Sequence, residues 1–195
     1  MKPIASLALI ALLLAVSARS ASADAAVPEG GTLDTQSKPL MTYAPTMNPG
    51  EADFDAADRL AIANQIYAYS FAYDNYEADA WFSLFTPDAV FVAGVPGSDA
   101  ISFTGEGFRK FWTARLDAFR TSGNLRRHLM TNILFLEQTA DTAHVSVTGL
   151  LTNAKDGKTF TAISSLNYEG WLVKGEDGWK IQRWHDFPDA PVSEN

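Results

Sequence analysis

The chain has 195 residues, no cysteine, 15 basic against 23 acidic residues and a formal net charge of −8. Without cysteine there is no disulfide framework and no thiol for lipid attachment, and an acidic surface repels nucleic acid and anionic membranes. A chain of this length can stabilise itself through its own hydrophobic core.

Residues 1–23 have the three parts of a secretory signal peptide. Lys2 supplies the positive charge, Ile4 to Val16 is an uncharged apolar run, and Ala21-Ser22-Ala23 is a small-x-small cleavage site. The run is shorter than the about 20 residues that a helical membrane span needs. An exported protein, periplasmic or secreted, is therefore expected, with a mature chain starting at Asp24 and no membrane span. Loss of Lys2 and Arg19 leaves 13 basic against 23 acidic residues, a net charge of −10. Residues 24–52 are rich in Pro, Gly, Ser, Thr and Ala, lack sustained periodicity, and read as a flexible leader. A single domain is expected over 53–190, followed by a tail at 191–195.

The domain opens with a helix. Asp55 is a candidate cap, and Asp58 in the first turn suits the helix dipole. Ile62, Ile66, Tyr69 and Tyr73 recur at spacings of four, three and four, which makes one apolar stripe. Ala63, Tyr67, Ser70 and Asp74 form the neighbouring stripe. A short second helix follows from about Asp79 to Phe85, closed by Thr86-Pro87-Asp88. Period two then predicts strands at Ala89–Ala93 and Ile101–Thr104. Gly105 to Phe119 returns to helical spacing, with Phe108, Phe111, Trp112, Leu116 and Phe119 on its apolar side. Four long strands complete the chain at about 126–137, 142–152, 159–173 and 178–186. They are joined by the turn sequences Thr139-Ala140-Asp141, Asp156-Gly157 and Asp177-Gly178. Helices first and strands last define an α+β class rather than alternating α/β. A curved, mostly antiparallel sheet with the N-terminal helices packed over its concave face makes a cone, and its interior is a natural pocket.

The sequence has no Gly-rich phosphate loop, no metal-ligand spacing of His or Cys, and no Gly-x-Ser-x-Gly elbow. That leaves acid–base chemistry by carboxylate, histidine and tyrosine, or ligand binding alone. Asp74 ends the first helix, where an acidic residue opposes the dipole; it is either a solvated end or held there by another group. His128 lies on the strand from Arg126 to Glu137, sharing a face with Met130, Asn132, Leu134 and Leu136. The other face carries Leu129, Thr131, Ile133 and Phe135, so burial on both sides is expected. His128 is then a satisfied core histidine or a pocket base. Arg126 and Arg127 precede it on opposite faces, and one can pair with an acidic group. On the last strand Trp179, Ile181, Arg183 and His185 share one face, Lys180, Gln182, Trp184 and Asp186 the other, and either set can point inward. His144 is expected to be exposed.

Several segments together resemble a known family. Asp58-Arg59-Leu60-Ala61-Ile62, Tyr73-Asp74 and Trp81-Phe82-Ser83-Leu84-Phe85-Thr86-Pro87-Asp88-Ala89 are similar to the opening of SnoaL-like domains, members of the nuclear-transport-factor-two-like superfamily. Arg127-His128-Leu129-Met130-Thr131-Asn132 resembles the family's central His-x-x-Thr-Asn strand, and Asp177-Gly178-Trp179-Lys180-Ile181 its closing hairpin. The resemblance spans about residues 54–187. It implies a cone-shaped barrel, often dimeric, so a homo-oligomer (dimer or trimer), with a hydrophobic cavity and no cofactor or metal. Members include scytalone dehydratase, hexachlorocyclohexane dehydrochlorinase, polyketide cyclases and steroid isomerases, besides non-catalytic proteins. By resemblance to the first two, His128 is the base, Asp74 its orienting partner, and Tyr73 a catalytic neighbour. Tyr67, Asn132, Trp112, Met130 and His185 are candidate substrate contacts. The expected function is a cofactor-independent lyase or isomerase acting on a small apolar or aromatic molecule; the alternative is a non-catalytic carrier of such a ligand.

Overall fold

A computed structural model describes residues 27–39, 50, 55–155 and 157–192. The proposed signal peptide and most of the leader lie outside the described residues. The elements run β1 (Gly31–Asp34), α1 (Ala56–Asp74), α2 (Ala78–Phe82), β2 (Phe85–Ala93), β3 (Ala100–Thr104), α3 (Gly105–Ser122), β4 (Asn124–Gln138), β5 (Thr142–Lys155), β6 (Thr159–Gly175) and β7 (Gly178–Pro188). The α+β class expected from the sequence is the one found. One unclosed sheet has the order β1-β3-β2-β7-β6-β5-β4. It is antiparallel throughout, apart from the parallel pairing of β2 with β7.

Helix α1 forms where its sequence signals place it. The Asp55 carboxylate accepts from the backbone N–H groups of Ala57 and Asp58, satisfying two of the donors a helix start leaves free. Ile62, Ile66, Tyr69 and Tyr73 are all buried. Full burial of each such side chain contributes about 1.5–3 kcal/mol. Asp58 does more than favour the dipole: it accepts from Trp179 Nε1 at 2.9 Å and pairs with Lys174 at 2.7 Å, pinning the helix start to the β6–β7 hairpin. Helix α3 buries Phe108, Trp112, Leu116 and Phe119 and ends on Gly123 in the left-handed conformation (φ 66°), which suits glycine.

The curvature of the sheet follows from what α3 touches. This helix packs on β3 and on β4, the second and the last strands in the sheet order. Laid flat, those strands would stand about 24 Å apart, whereas a helix with side chains is only about 10–12 Å wide. The sheet must curl around α3 and α1, and the hollow between them is the cavity described below. No helix among the described residues is long and apolar enough to cross a membrane.

Four expectations need correction. First, the segment read as flexible leader contains β1, which pairs antiparallel with β3 from Gly31↔Phe103 to Asp34↔Ala100. A four-residue edge strand is too short to announce itself by periodicity. Second, α2 stops at Phe82, and Thr86-Pro87-Asp88 lie within β2 at a register shift instead of closing a helix. Third, β4 is the outer edge of the sheet, not a central strand buried on both faces. Asn124 and Arg126 are buried on its helix side, whereas Leu125 and Leu129 are 45 % and 46 % exposed on the other. Fourth, His144 is not free in solvent; its ring stacks on Trp171 at 4.4 Å.

Candidate functional site

The end of α1 is tied to the start of β4. The Tyr76 hydroxyl donates to the Asn124 carbonyl, and Arg127 Nη1 donates to the Asp74 carbonyl at 3.2 Å, capping an acceptor the helix leaves open. These ties set Asp74 beside His128. Asp74 Oδ1 lies 2.5 Å from His128 Nδ1, and Asp74 Oδ2 accepts the His128 backbone N–H at 2.7 Å. Both side chains are 6 % exposed. A carboxylate gripping ring and backbone together fixes the imidazole orientation and places the proton on Nδ1, which leaves Nε2 as the acceptor. This is also why an acidic residue sits at a helix end that the dipole disfavours. Tyr73 stands edge-on to the imidazole, with ring centroids 5.0 Å apart at 85°.

His128 and Tyr73 form part of the wall of a cavity of about 360 Å³, near the lower end of the roughly 300–1,000 Å³ range of small-molecule pockets. Its apolar wall comes from Ile101, Phe103, Phe111, Trp112, Leu151 and Leu166, and prolines 28, 96, 188 and 191 border it. The polar wall adds Arg115, Arg126 and Asp186. Of the two arginines left open by the sequence, Arg126 therefore faces the cavity, 2 % exposed, and Arg127 turns outward. Burial raises the Tyr73 hydroxyl above its usual range, opposed by Arg115 and Arg126. It stays a neutral donor at physiological pH.

Asp186 is the polar wall residue the sequence reading missed. Its Oδ1 is buried and has no hydrogen-bond partner among the described residues. Burial pushes its carboxyl up to about 6, against the opposing charges of His128 and Arg115. Strict alternation groups Asp186 with Lys180, Gln182 and Trp184. A register shift in the β6–β7 ladder between Trp171 and Leu172 breaks that alternation. Trp179 and Ile181 face the core before it; Trp184 and Asp186 face inward after it.

The other expected contacts divide. Trp112 lines the cavity. Met130 packs against the core beside it without being part of the wall. Asn132 is exposed with φ 50°, at a register shift of β4 between Thr131 and Leu134; this bulge flips the side-chain parity and turns Ile133 and Phe135 toward the core. Tyr67 is 43 % exposed on the solvent side of α1. His185 is buried on the opposite face of the sheet. Its Nε2 accepts from Arg183 Nε at 2.7 Å, and Trp171 lies 4.7 Å away.

On that far face Glu169 accepts from His144 Nε2 at 2.8 Å and lies 3.7 Å from His185 Nδ1. Burial pushes the Glu169 carboxyl up, but the hydrogen bond from His144 and the nearby rings of His144 and His185 outweigh it and hold it at about 2. Arg183 continues the network to Ser37 at 2.9 Å and to Asp34 at 3.6 Å. Asp34 also accepts from the Ser102 hydroxyl on β3. Among the described residues there is no group of three or more His, Asp or Glu arranged to hold a metal ion.

The SnoaL-like domain family model matches residues 55–185. Among solved structures, a putative aromatic ring hydroxylase from Novosphingobium aromaticivorans is 26 % identical, with 72 % of this chain and 95 % of that one covered and a TM-score of 0.58. An NTF2-like protein with a cystatin-like fold from the same organism is 20 % identical over 68 % and 82 % of the two chains, TM-score 0.55. A protein from Catenulispora acidiphila, solved in complex with S-DNPA, is 22 % identical over 69 % and 96 %, TM-score 0.55. No curated protein matches the sequence.

Proposed function

Because the chain belongs to the SnoaL-like domain family of the nuclear-transport-factor-two-like superfamily, we propose that it is a cofactor-independent acid–base enzyme, a dehydratase-like lyase or an isomerase, acting on a small apolar or aromatic molecule. The observation that carries this reading is the double grip of Asp74 on His128 at the wall of the cavity. His128 Nε2 takes a proton from a substrate carbon. Asp74 holds the tautomer and stabilises the imidazolium that forms. The Tyr73 hydroxyl and the Asp186 carboxyl, which is protonated below about pH 6, donate to the oxygen on which charge develops. The apolar wall keeps water from the reacting atoms and strengthens each of these interactions.

The test uses a panel of small cyclic ketones and β-hydroxy ketones in D₂O, followed by proton NMR. Catalysed exchange or elimination by the wild type, lost in a folded His128→Ala variant, is the expected result. Full activity in that variant overturns the mechanism. Saturable binding without catalysis across the panel favours the second reading, a carrier of a small hydrophobic ligand, which the predominantly apolar cavity wall would also serve. Export is part of the same proposal and is supported by the N-terminal sequence pattern; a mature protein isolated from the envelope or medium should begin at Asp24. Homo-oligomerisation is supported by the exposed Leu129 and Leu150, paired across β4 and β5; sedimentation would show a single monomeric species if it is wrong.

A further inference from the structure

Helix α1 turns its charge toward the body of the protein. Its charged residues are Asp58, Arg59 and Asp74. Asp58 bonds to Trp179 and Lys174, Arg59 to Gln138, and Asp74 to His128. Gln65 likewise turns inward and donates to the carbonyls of Leu84 and Trp179. From Ala56 to Phe71 every exposed residue is uncharged, and Leu60 and Phe71 are 64 % and 72 % exposed. A surface helix ordinarily presents its charged residues to water.

This face is spaced as a helix-packing seam. Ala57, Leu60, Asn64, Tyr67 and Phe71 follow one another at intervals of three, four, three and four, the spacing with which two helices interlock at a shallow crossing angle. Ala61 and Ala68 flank the seam on one side, Ala56 and Ala63 on the other. Such small flanks let a second helix come close, toward the lower end of the about 8–10 Å between packed helix axes. The series is also self-complementary. Turned about a two-fold axis at Asn64, it sets the large Phe71 against the small Ala57, Leu60 against Tyr67, and Asn64 against itself. One polar residue in an otherwise apolar seam fixes the register. An antiparallel pair places the positive end of each helix dipole beside the negative end of the other. In a chain of net charge −8, an uncharged face lets two copies meet without bringing like charges together.

We propose that this face of α1 pairs with the same face of a second copy, antiparallel about a two-fold axis at Asn64. The contact is separate from Leu129 and Leu150, which lie on the outer face of the sheet. Tyr73 leaves α1 on the side away from the seam, so each copy keeps its own cavity. A single helix pair is a small interface, and the expected dissociation constant is about 1–100 μM.

Analytical ultracentrifugation of the purified protein should show reversible self-association in that range. Phe71→Glu should raise the dissociation constant at least about tenfold and keep the circular dichroism of the wild type. Ala57→Lys combined with Phe71→Glu should restore association, because the antiparallel register brings the opposite charges together. Asn64→Cys sets one thiol at the axis of a chain that has no cysteine. Mild oxidation should cross-link it, and should not cross-link Thr121→Cys, which is exposed on α3. Adding Leu129→Glu should leave the cross-link in place; its loss there moves the contact to the sheet and overturns the proposal. A monomer at concentrations above that range, an unchanged dissociation constant in Phe71→Glu, no recovery in the double variant, or equal cross-linking of the two thiol variants also overturns it. So does flotation with neutral phosphatidylcholine vesicles that Phe71→Glu abolishes, which gives the face to a lipid surface instead.

Discussion

The two faces of the sheet each hold a histidine hydrogen-bonded to a carboxylate, on adjacent strands, and the inner one borders the cavity. On the inner face His128 meets Asp74 at 2.5 Å; on the outer face His144 meets Glu169 at 2.8 Å. The pairs are alike in bond length and differ in surroundings. The His128 ring borders a cavity and has one nitrogen uncommitted to its carboxylate. The His144 ring is stacked on Trp171, and its carboxylate is shared with His185. A histidine–carboxylate contact is therefore no signature of chemistry by itself. A space beside the ring for a reacting molecule makes the difference.

Substitutions can break this comparison or sharpen it. The largest effect is expected from His128→Ala, a loss of about 10²–10⁴-fold in turnover with ligand affinity kept, whereas His144→Ala should leave turnover unchanged. Equal losses from both, measured by steady-state kinetics, would erase the distinction between the faces. Asp186 comes next. Its folded carboxyl holds a proton up to about pH 6, against a usual value of 3.8. The folded state thus binds more protons than the unfolded state between those values, and stability falls as pH rises through the window. Asp186→Asn should remove that fall, so the gap between variant and wild type shifts by about 2 kcal/mol from pH 4 to pH 8 in urea titrations.

Glu169 has the opposite sign. Held at about 2 against a usual 4.5, it contributes stability above pH 4.5 that is lost as pH falls toward 2. Glu169→Gln should cost about 1–2 kcal/mol at neutral pH and flatten the acid limb, with turnover unaffected. The smallest effects belong to two residues that sequence alone placed at the site. Asn132→Ala should cost about 1 kcal/mol for its left-handed backbone without touching turnover. Tyr67→Ala should change stability by less than about 0.5 kcal/mol; a kinetic defect in either would return them to the pocket.

Much of the inner face was legible because α1 and α3 have regular periods. A stripe of Ile62, Ile66, Tyr69 and Tyr73 has one way to bury itself, and the position of Asp74 follows from it. The strands were legible in extent but not in facing. Period-two reasoning assumes an unbroken ladder, and both β4 and β7 are interrupted. The bulge at Asn132 withdrew a predicted contact, and the shift in the β6–β7 ladder put Asp186 inside and His185 outside. Bulges of this kind depend on the partner strand, so the local sequence does not announce them. Arg126 was distinguishable from Arg127 only once β4 was known to have the helices on one side.

The short strand β1 reaches beyond its own four residues. Through it, Pro28 becomes part of the cavity wall, joined there by Pro188, Pro191 and Val192 from the other end of the chain. All four lie outside residues 55–185, the stretch the family shares, and Asp186 lies one residue past it. Residues 55–185 thus supply the histidine and its carboxylate, and the two ends of the chain supply part of the cavity wall. Trimming the protein to the family boundaries would keep the Asp74–His128 pair and remove these end residues from the cavity wall.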